Sequence, residues 1–100
     1  MKRLIFSSRA DQDYYEIVHY LDENFGIEKA VSFEKSLREK LLLIKTQPFA
    51  FGFFFDTDCR KCLINPYITM LYRITETRIE IIAFWFNRAD PDKIKEFLIT

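Results

Sequence analysis

The chain has 100 residues, of which 49% are hydrophobic and 30% charged, and its 15 basic side chains balance 15 acidic ones. This length predicts a single domain over residues 1–100, and high hydrophobicity without net charge excludes a disordered chain. Zero net charge also argues against a dedicated nucleic-acid-binding protein, since such proteins are usually basic.

The sequence contains no apolar run of the roughly 18 residues that are needed to span a membrane. Its N-terminus has a charged start, but the apolar run that follows, Leu4–Phe6, is too short for a signal peptide. We therefore expect a cytosolic protein that makes no membrane contact. In that compartment Cys59 and Cys62 should be reduced thiols.

The first quarter of the chain predicts a short strand followed by a helix. The strand is the apolar run Leu4–Phe6. Ser8, with Asp11 three residues later, is typical of a helix start with an acidic first turn, so we expect a helix from about Arg9 to Phe25. Gly26 is its natural C-terminal stop. The apolar stripe of this helix comprises Tyr14, Ile17, Val18, Leu21 and Phe25.

A second helix is predicted from about Glu28 to Thr46. Pro48 prevents its continuation. The gap between the two helices is so short that it predicts an antiparallel helical hairpin. The apolar stripe of the second helix comprises Ala30, Phe33, Leu37, Leu41 and Ile44.

The segment Phe49–Asp58 has an unusual composition, with five phenylalanines around Gly52. Two interpretations are open. The segment either forms a flap that covers the edge between the helices and the sheet, or it presents an exposed aromatic surface to a protein partner.

Three strand-like runs with hairpin-length gaps follow, at about Arg60–Ile64, Tyr67–Thr75 and Arg78–Phe86. β-Branched and aromatic residues dominate them, which predicts an antiparallel three-strand meander. The last run is nearly continuously apolar, as is typical of a strand that is covered on both faces. In the middle run, Ile68, Met70, Tyr72 and Ile74 alternate with Thr69, Leu71 and Arg73.

After the meander, Asp90 followed by Pro91 predicts a last short helix at about Pro91–Leu98, with Ile94, Phe97 and Leu98 on its core side. The complete order is β-α-α-β-β-β-α. This order predicts an α+β fold in which a helical hairpin packs on one face of a small, mainly antiparallel sheet.

The motifs that most often carry catalytic chemistry are weak or missing. Cys59 and Cys62 lie where a loop enters a strand, and positions three apart on a strand point to opposite faces, so we interpret them as structural residues. The single histidine, His19, falls opposite the apolar stripe of its helix and is expected at the surface. The sequence has no glycine-rich phosphate loop and no metal-spaced carboxylate pair. We therefore predict neither a cofactor nor a metal site.

The arginines of the meander are more informative. Arg73 lies inside an otherwise apolar strand, where an unpaired charge is costly, so we expect it to pair with a carboxylate such as Glu80. Arg60 opens the first strand of the meander and Arg88 follows its last strand. One interpretation is that these two guanidinium groups converge on one anion, a phosphate or a partner's carboxylate, in bidentate geometry. Lys61 and Tyr67 are weaker candidates for the same site.

Several patterns occur in a fixed order along the chain. They are Tyr14-Tyr15-x-Ile17-Val18-x-Tyr20-Leu21, Ala30-x-x-Phe33-x-x-x-Leu37-x-x-x-Leu41 ending at Pro48, Arg60-Lys61-x-Leu63, Tyr67-Ile68-x-x-x-Tyr72-Arg73-Ile74, and Ile79-x-Ile81-x-Ala83-Phe84 through Arg88. In this order they resemble the RelE/ParE toxins of bacterial type II toxin–antitoxin modules, over essentially the whole chain.

The resemblance implies a small cytosolic toxin that is neutralised by a cognate antitoxin, whose extended or helical segment wraps around it. It also leaves room for a homodimer or a toxin–antitoxin hetero-oligomer. RelE-like members cleave mRNA in the ribosome with basic and aromatic residues of the sheet face, whereas ParE-like members poison DNA gyrase without a catalytic group. By position, Arg60 matches the second-strand arginine of the family and Arg88 matches the basic residue after the last strand.

Three features favour the ParE-like branch. RelE-like nucleases often supply a Tyr or His near the C-terminus for proton transfer, and this chain has neither after Tyr72. Arginine cannot replace that group, because it does not deprotonate in proteins and can only stabilise charge. The helical hairpin is also long, and neutral net charge suits a protein target.

We therefore predict growth inhibition by binding to DNA gyrase. The alternatives are a ribosome-dependent mRNA endoribonuclease that uses Arg60 and Arg88 as phosphate clamps, and an inactive member that acts only as a binding module. Whether the protein is an enzyme is open at this point.

Overall fold

The computed structural model of the protein describes residues 2–88. Within this range the element order is β1 (Arg3–Phe6), α1 (Ser8–Phe25), α2 (Ile27–Thr46), β2 (Cys59–Asn65), β3 (Ile68–Ile74) and β4 (Arg78–Phe86). The predicted order is thereby confirmed to the end of the meander. The predicted last helix, at about Pro91–Leu98, lies outside the described residues.

The start of α1 differs from the prediction, because Ser7 rather than Ser8 is the N-cap. Ser7 has an extended backbone, with φ −67° and ψ 163°, and its Oγ accepts a hydrogen bond from the Ala10 N–H at 3.0 Å. Either serine suits a cap chemically. Ser7 directly follows the last residue of β1, and its hydroxyl also donates to the carbonyl oxygen of Ile82 at 2.8 Å. One side chain therefore ends the strand and starts the helix.

A single residue, Gly26, separates α1 from α2. Its φ of 92° and ψ of 165° lie in a region that is essentially restricted to glycine, because a Cβ atom would clash with the backbone. Its N–H donates to the carbonyl oxygen of Asp22 at 3.1 Å, which ends α1. The predicted helical hairpin is confirmed, with α1 packed against α2.

The four strands form one mixed sheet in the order β1-β4-β3-β2. The β2–β3 and β3–β4 pairs are antiparallel, as the meander predicts, whereas β1 runs parallel to β4 with Leu4 opposite Ile79. A β-bulge shifts the β3–β4 register between Leu71 and Tyr72. β1 pairs with β4 only as far as Ile81, so the rest of that edge of β4 is left for α1.

The side chain of Asp13 joins α1 to the open part of this edge. It is only 8% exposed, and its Oδ2 accepts a hydrogen bond from the buried Phe84 N–H at 3.1 Å. Arg9 Nε donates to its Oδ1 at 2.9 Å. A buried carboxylate is tolerated here because it is paired, and it supplies the acceptor that β1 is too short to provide.

The helices cover one face of the sheet and form the main hydrophobic core with it. The predicted stripes supply this core, with Phe33 only 1% exposed. Phe25 is the exception at 60% exposed. It is the last residue of α1, directly before Gly26, and it lines a cleft rather than the core. The buried sheet residues of the main core are Cys62, Ile64, Ile68, Met70, Tyr72, Ile79, Ile81 and Phe84.

The opposite face of the sheet is covered by the loop between α2 and β2. Phe54 is buried there in a second cluster, which also contains Cys59, Leu71, Ile82 and Ala83, with Trp85 packed against it. β4 is therefore covered on both faces, as predicted. Phe51 packs against the main core, whereas Phe49, Phe53 and Phe55 are 68%, 58% and 50% exposed. Part of the Phe49–Asp58 segment therefore covers the sheet, whereas three of its rings are exposed.

No helix within residues 2–88 has the length and apolar character that a membrane crossing requires.

Candidate functional site

A cleft of about 560 Å³ opens where the end of α1 and the first turns of α2 meet one end of the sheet. Its walls come from the helical hairpin, from the turn between β2 and β3, and from the residues that end β4. The lining includes Tyr20, Phe25, Lys29, Tyr67, Phe86 and Arg88. Two of the predicted site residues, Tyr67 and Arg88, are thereby brought together.

The turn that carries Tyr67 is fixed by hydrogen bonds. Asn65 Oδ1 accepts from the backbone N–H groups of Tyr67 at 2.8 Å and Ile68 at 3.0 Å, which is an Asx turn. Asn87 ties the same turn to the end of β4, because its N–H donates to the Tyr67 carbonyl at 2.8 Å and its Nδ2 donates to the Pro66 carbonyl at 2.6 Å. Tyr67, which is 69% exposed, is therefore held by a hydrogen-bonded turn.

Arg88 lies against the aromatic wall of the cleft. Its guanidinium carbon is 5.7 Å from the centre of the Tyr20 ring and 5.4 Å from that of Phe86, within the range of a cation–π interaction. Its Nη2 donates to Tyr20 Oη at 3.3 Å. Tyr20 and Phe86 meet edge to face, with ring centres 5.1 Å apart. The aromatic pair thus holds an exposed cation at the rim.

The cleft combines cationic, hydroxyl and aromatic side chains. Arg88 and Lys29 supply positive charge, and Ser32 and Ser36 add hydroxyl groups. Among the described residues that line it, none is a carboxylate or a histidine, the side chains that most often serve as general bases. The cleft can hold an anion or an apolar side chain. Within residues 2–88 no group of three or more His, Cys, Asp or Glu side chains is arranged to hold a metal ion.

Arg60, at the start of β2, is engaged by the loop between α2 and β2. Its Nη1 donates to the carbonyl oxygen of Phe51 at 2.7 Å. Its guanidinium carbon is 4.1 Å from the centre of the Phe53 ring and 5.2 Å from that of Phe49. We call Phe49, Phe53 and Arg60 the Arg60 stack. Lys61, the next residue, is exposed.

Tyr72 lies opposite Arg60 on β3 and also fastens this loop. Its hydroxyl donates to the carbonyl oxygen of Pro48 at 2.7 Å. Burial raises the pKa of Tyr72 to about 12, although the nearby charge of Arg60 acts in the opposite direction. Tyr72 is therefore a neutral hydrogen-bond donor at physiological pH, and its role here is structural.

Arg60 and Arg88 do not lie together, so the interpretation in which the two converge on one anion is wrong. Both β2 and β4 run antiparallel to β3 and therefore share one direction, which places the start of β2 and the end of β4 at opposite ends of the sheet. Arg60 is level with Tyr72 and Ile81. Phe86 is roughly 17 Å further along β4 at about 3.3 Å per residue, and Arg88 follows it.

Arg73 and His19 are placed as predicted. Arg73 Nε is 3.3 Å from Glu80 Oε1, and its Nη1 is 3.4 Å from Asp58 Oδ1. His19 lies on the surface of α1 with its Nε2 3.2 Å from Glu23 Oε1. Neither residue contributes to the cleft.

The two cysteines are free and buried on opposite faces of the sheet, as predicted. Cys59 belongs to the second cluster and Cys62 to the main core. Burial raises the pKa of both thiols, that of Cys62 to about 11. Thiols in this state are poor nucleophiles near neutral pH, which agrees with a structural role.

Three residues that line the cleft were not predicted as site residues from the sequence, namely Tyr20, Phe25 and Lys29. Tyr20 follows Ile17 by three residues and so lies at the margin of the apolar stripe of α1, which is a usable signal for a partly buried aromatic ring. The position of Phe25 and Lys29 at the cleft depends on the hairpin tip reaching past the end of the sheet, and nothing in their local sequence encodes that.

Sequence and structure comparisons give consistent results. A family described as "ParE toxin of type II toxin-antitoxin system, parDE" matches residues 4–91. The fold is similar to that of a chain of the chromosomal ParDE system from P. aeruginosa, with a TM-score of 0.70 and 17% identity over 90% of this chain and 98% of that one. No curated protein matches the sequence.

Two further solved structures share the fold. The YoeB/ParE toxin from Agrobacterium tumefaciens has a TM-score of 0.61 and 16% identity over 85% of this chain and 98% of that one. A chain of the E. coli DinJ-YafQ toxin-antitoxin complex has a TM-score of 0.57 and 9% identity over 85% of this chain and 91% of that one. At these identities the likeness concerns the fold alone.

Proposed function

Because the chain belongs to the ParE toxin family of type II toxin–antitoxin systems, we propose that it inhibits growth by binding DNA gyrase in the cytosol. The observation that carries this proposal is the family match over residues 4–91, nearly the whole chain. The composition of the cleft supports it. A toxin that acts by binding needs an exposed, rigid contact surface but does not need a proton-transfer group. The cleft offers such a surface, and its described lining residues include neither a histidine nor a carboxylate.

The residues that we propose as gyrase contacts are Arg88 and Tyr67. Both are exposed, and both are held by their surroundings, Arg88 by Tyr20 and Phe86 and Tyr67 by the Asx turn. Exposed arginine and tyrosine side chains in a pre-organised setting are the residue types that most often dominate the binding energy of protein interfaces.

We also propose that a cognate antitoxin neutralises the protein, as a hetero-oligomer. The family is one of two-component systems, and the E. coli DinJ-YafQ structure is that of a toxin-antitoxin complex with the same fold. Arg60, with the exposed rings of Phe49 and Phe53, belongs to a second surface at the far end of the sheet, which extends the area on which such a partner can bind.

The test is inhibition of gyrase by the purified full-length protein in a supercoiling assay, with cleaved DNA as a second readout. We expect inhibition at micromolar protein or below. Arg88→Ala should raise the half-inhibitory concentration by about fivefold to thirtyfold, because an interface arginine of this kind contributes about 1–2 kcal/mol. Arg3→Ala is the matched control, since Arg3 is exposed and lies beside Arg78 at the opposite end of β4. Gyrase that is unaffected at micromolar protein would contradict the proposal.

A second candidate function is ribosome-dependent cleavage of mRNA. The observation that favours it is the pairing of two cations, Arg88 and Lys29, with the exposed Tyr67 ring in one cleft, because such a set can hold a phosphate and stack a base. Cells that express the chain should then contain cut transcripts, and Arg88→Ala should slow cleavage by about 10²–10³. Intact transcripts during growth arrest would exclude this function. Growth that is unaffected by expression would favour a binding module instead.

A further inference from the structure

The loop between α2 and β2, residues 47–58, is fastened to the sheet at close intervals. The carbonyl of Pro48 accepts from Tyr72 Oη at 2.7 Å, and the carbonyl of Gly52 accepts from the Lys61 N–H at 3.1 Å. The Phe54 N–H donates to the Cys59 carbonyl at 2.8 Å. A loop that is tied in this way presents its outer side chains in fixed positions. Its exposed rings are therefore pre-organised for contact.

The Arg60 stack is the most distinctive feature of this loop. Phe53 and Phe49 flank the guanidinium group at 4.1 and 5.2 Å, while Phe51 takes one N–H donor through its backbone carbonyl. Within residues 2–88 no carboxylate pairs with Arg60, and no buried side-chain nitrogen lacks a hydrogen-bond partner. The donors of Arg60 that have no protein partner therefore reach solvent.

We propose that the Arg60 stack binds a carboxylate carried by an apolar peptide segment of a protein partner. The two rings lie against the guanidinium group and limit its hydration, and the Phe51 carbonyl oxygen holds one of its N–H groups. The remaining donors are left for a bidentate carboxylate. Phe49 and Phe53 are 68% and 58% exposed, so they offer apolar contact beside the guanidinium group. This surface is distinct from the cleft, and the inference does not depend on gyrase being the target.

Charge favours a peptide over a nucleic acid as the occupant. Strong binding to a phosphate backbone requires several cations along a groove. This surface provides Arg60, whereas Lys61, the next residue of β2, points to the other face of the sheet, and the chain as a whole has no net charge. Asp58, the nearest acidic residue before β2, is already paired with Arg73. One guanidinium group held beside two exposed apolar rings matches a Glu or Asp with apolar neighbours.

The test is an NMR titration of the ¹⁵N-labelled full-length protein with the peptide Ac-Leu-Glu-Trp-Glu-Leu-NH₂. Its matched control is Ac-Leu-Gln-Trp-Gln-Leu-NH₂, which differs only in charge. We expect shifts at the Arg60 side-chain N–H and at the backbone amides of Phe51, Gly52 and Phe53. The glutamine peptide should bind at least about tenfold more weakly, since hydrogen bonds between charged groups are the strong ones.

Variants of the Arg60 stack separate the contribution of the guanidinium group from that of the two rings. Arg60→Gln should weaken binding of the glutamate peptide at least about tenfold, and Arg60→Lys should bind with intermediate affinity. Phe53→Leu removes one ring and leaves the Arg60–Phe51 hydrogen bond in place, so it decides the question if Arg60→Gln disorders the loop. Arg3→Gln, an exposed arginine at the other side of the sheet, should bind like the wild type.

Four outcomes would overturn the proposal. These are equal affinity for the two peptides, shifts confined to the cleft, an undiminished affinity in Phe53→Leu and Arg60→Gln, and no binding at millimolar peptide. A pentauridylate probe that binds more tightly than the peptide would point to a nucleic acid instead. Because gyrase is absent from the NMR titration, a negative titration does not affect the gyrase proposal. A negative supercoiling assay likewise does not affect the proposal for the Arg60 stack.

Discussion

Two polar side chains in this protein, those of Ser7 and Asp13, replace backbone partners that the short strand β1 cannot supply. The Ser7 hydroxyl donates a hydrogen bond to the carbonyl oxygen of Ile82. The Asp13 carboxylate accepts one from the N–H of Phe84 and another from Arg9. Each is a single side chain on which two elements depend. A substitution at such a position leaves a backbone group without a partner, which costs more than the loss of one average hydrogen bond.

Asp13→Ala should lower the free energy of unfolding by about 2–3 kcal/mol, since a buried N–H loses a charged acceptor. Asp11→Ala is the matched control, because Asp11 is an exposed carboxylate in the first turn of the same helix and its removal costs less than about 1 kcal/mol through the helix dipole. Urea unfolding followed by circular dichroism measures both. Equal losses in the two variants would mean that the Asp13–Phe84 bond adds nothing.

At the scale of elements, the helical hairpin depends on one backbone conformation. Gly26 has a φ of 92°, and a Cβ atom at this residue would meet no neighbouring atom within 4 Å. Any penalty for a side chain there is therefore conformational and not steric crowding by neighbours. The pattern of apolar stripes predicts two helices, but it is this residue that sets the angle between them.

Gly26→Ala should destabilise the protein by about 1–3 kcal/mol, the usual cost of a non-glycine residue in this backbone region. Gly52→Ala provides the control, because Gly52 has no positive φ and a Cβ atom there also meets no neighbour within 4 Å. Its effect should stay within about 0.5 kcal/mol or be slightly stabilising. Thermal unfolding of the two variants checks this, and a Gly26→Ala protein as stable as the Gly52→Ala protein would contradict it.

Element types and the faces of the sheet follow from local sequence, because alternation along a strand is a local property. The placement of Cys59 and Cys62 in different clusters and the Arg73–Glu80 pair were both predictable in this way. The separation of Arg60 from Arg88 also follows from the predicted meander, because the first and third strands of an antiparallel meander run in the same direction. The division of the phenylalanine-rich loop into covering and exposed rings depends on hydrogen bonds to β2 and β3, which composition does not encode.

For the molecule as a whole, the consequence is two exposed cationic surfaces at opposite ends of one sheet. Each consists of an arginine held by two aromatic rings, Tyr20 and Phe86 for Arg88, and Phe49 and Phe53 for Arg60. Among the described residues, no chain of ion pairs connects the two surfaces, since Arg73 pairs with Glu80 and Asp58. The two surfaces should therefore act independently.

Independence of the two surfaces predicts a double dissociation. Arg60→Gln should weaken binding of the glutamate peptide and leave gyrase inhibition within about twofold of the wild type, while Arg88→Ala should do the reverse. In each assay, the free-energy change of the double variant should equal the sum of the changes of the two single variants within about 0.5 kcal/mol. This is the usual result for sites more than about 10 Å apart without shared partners. The NMR titration and the supercoiling assay measure the two effects, and the urea midpoint of each variant verifies that it is folded. A coupling energy above about 1 kcal/mol would show that the sheet transmits a change between its ends, and the two arginines would then belong to one extended binding surface.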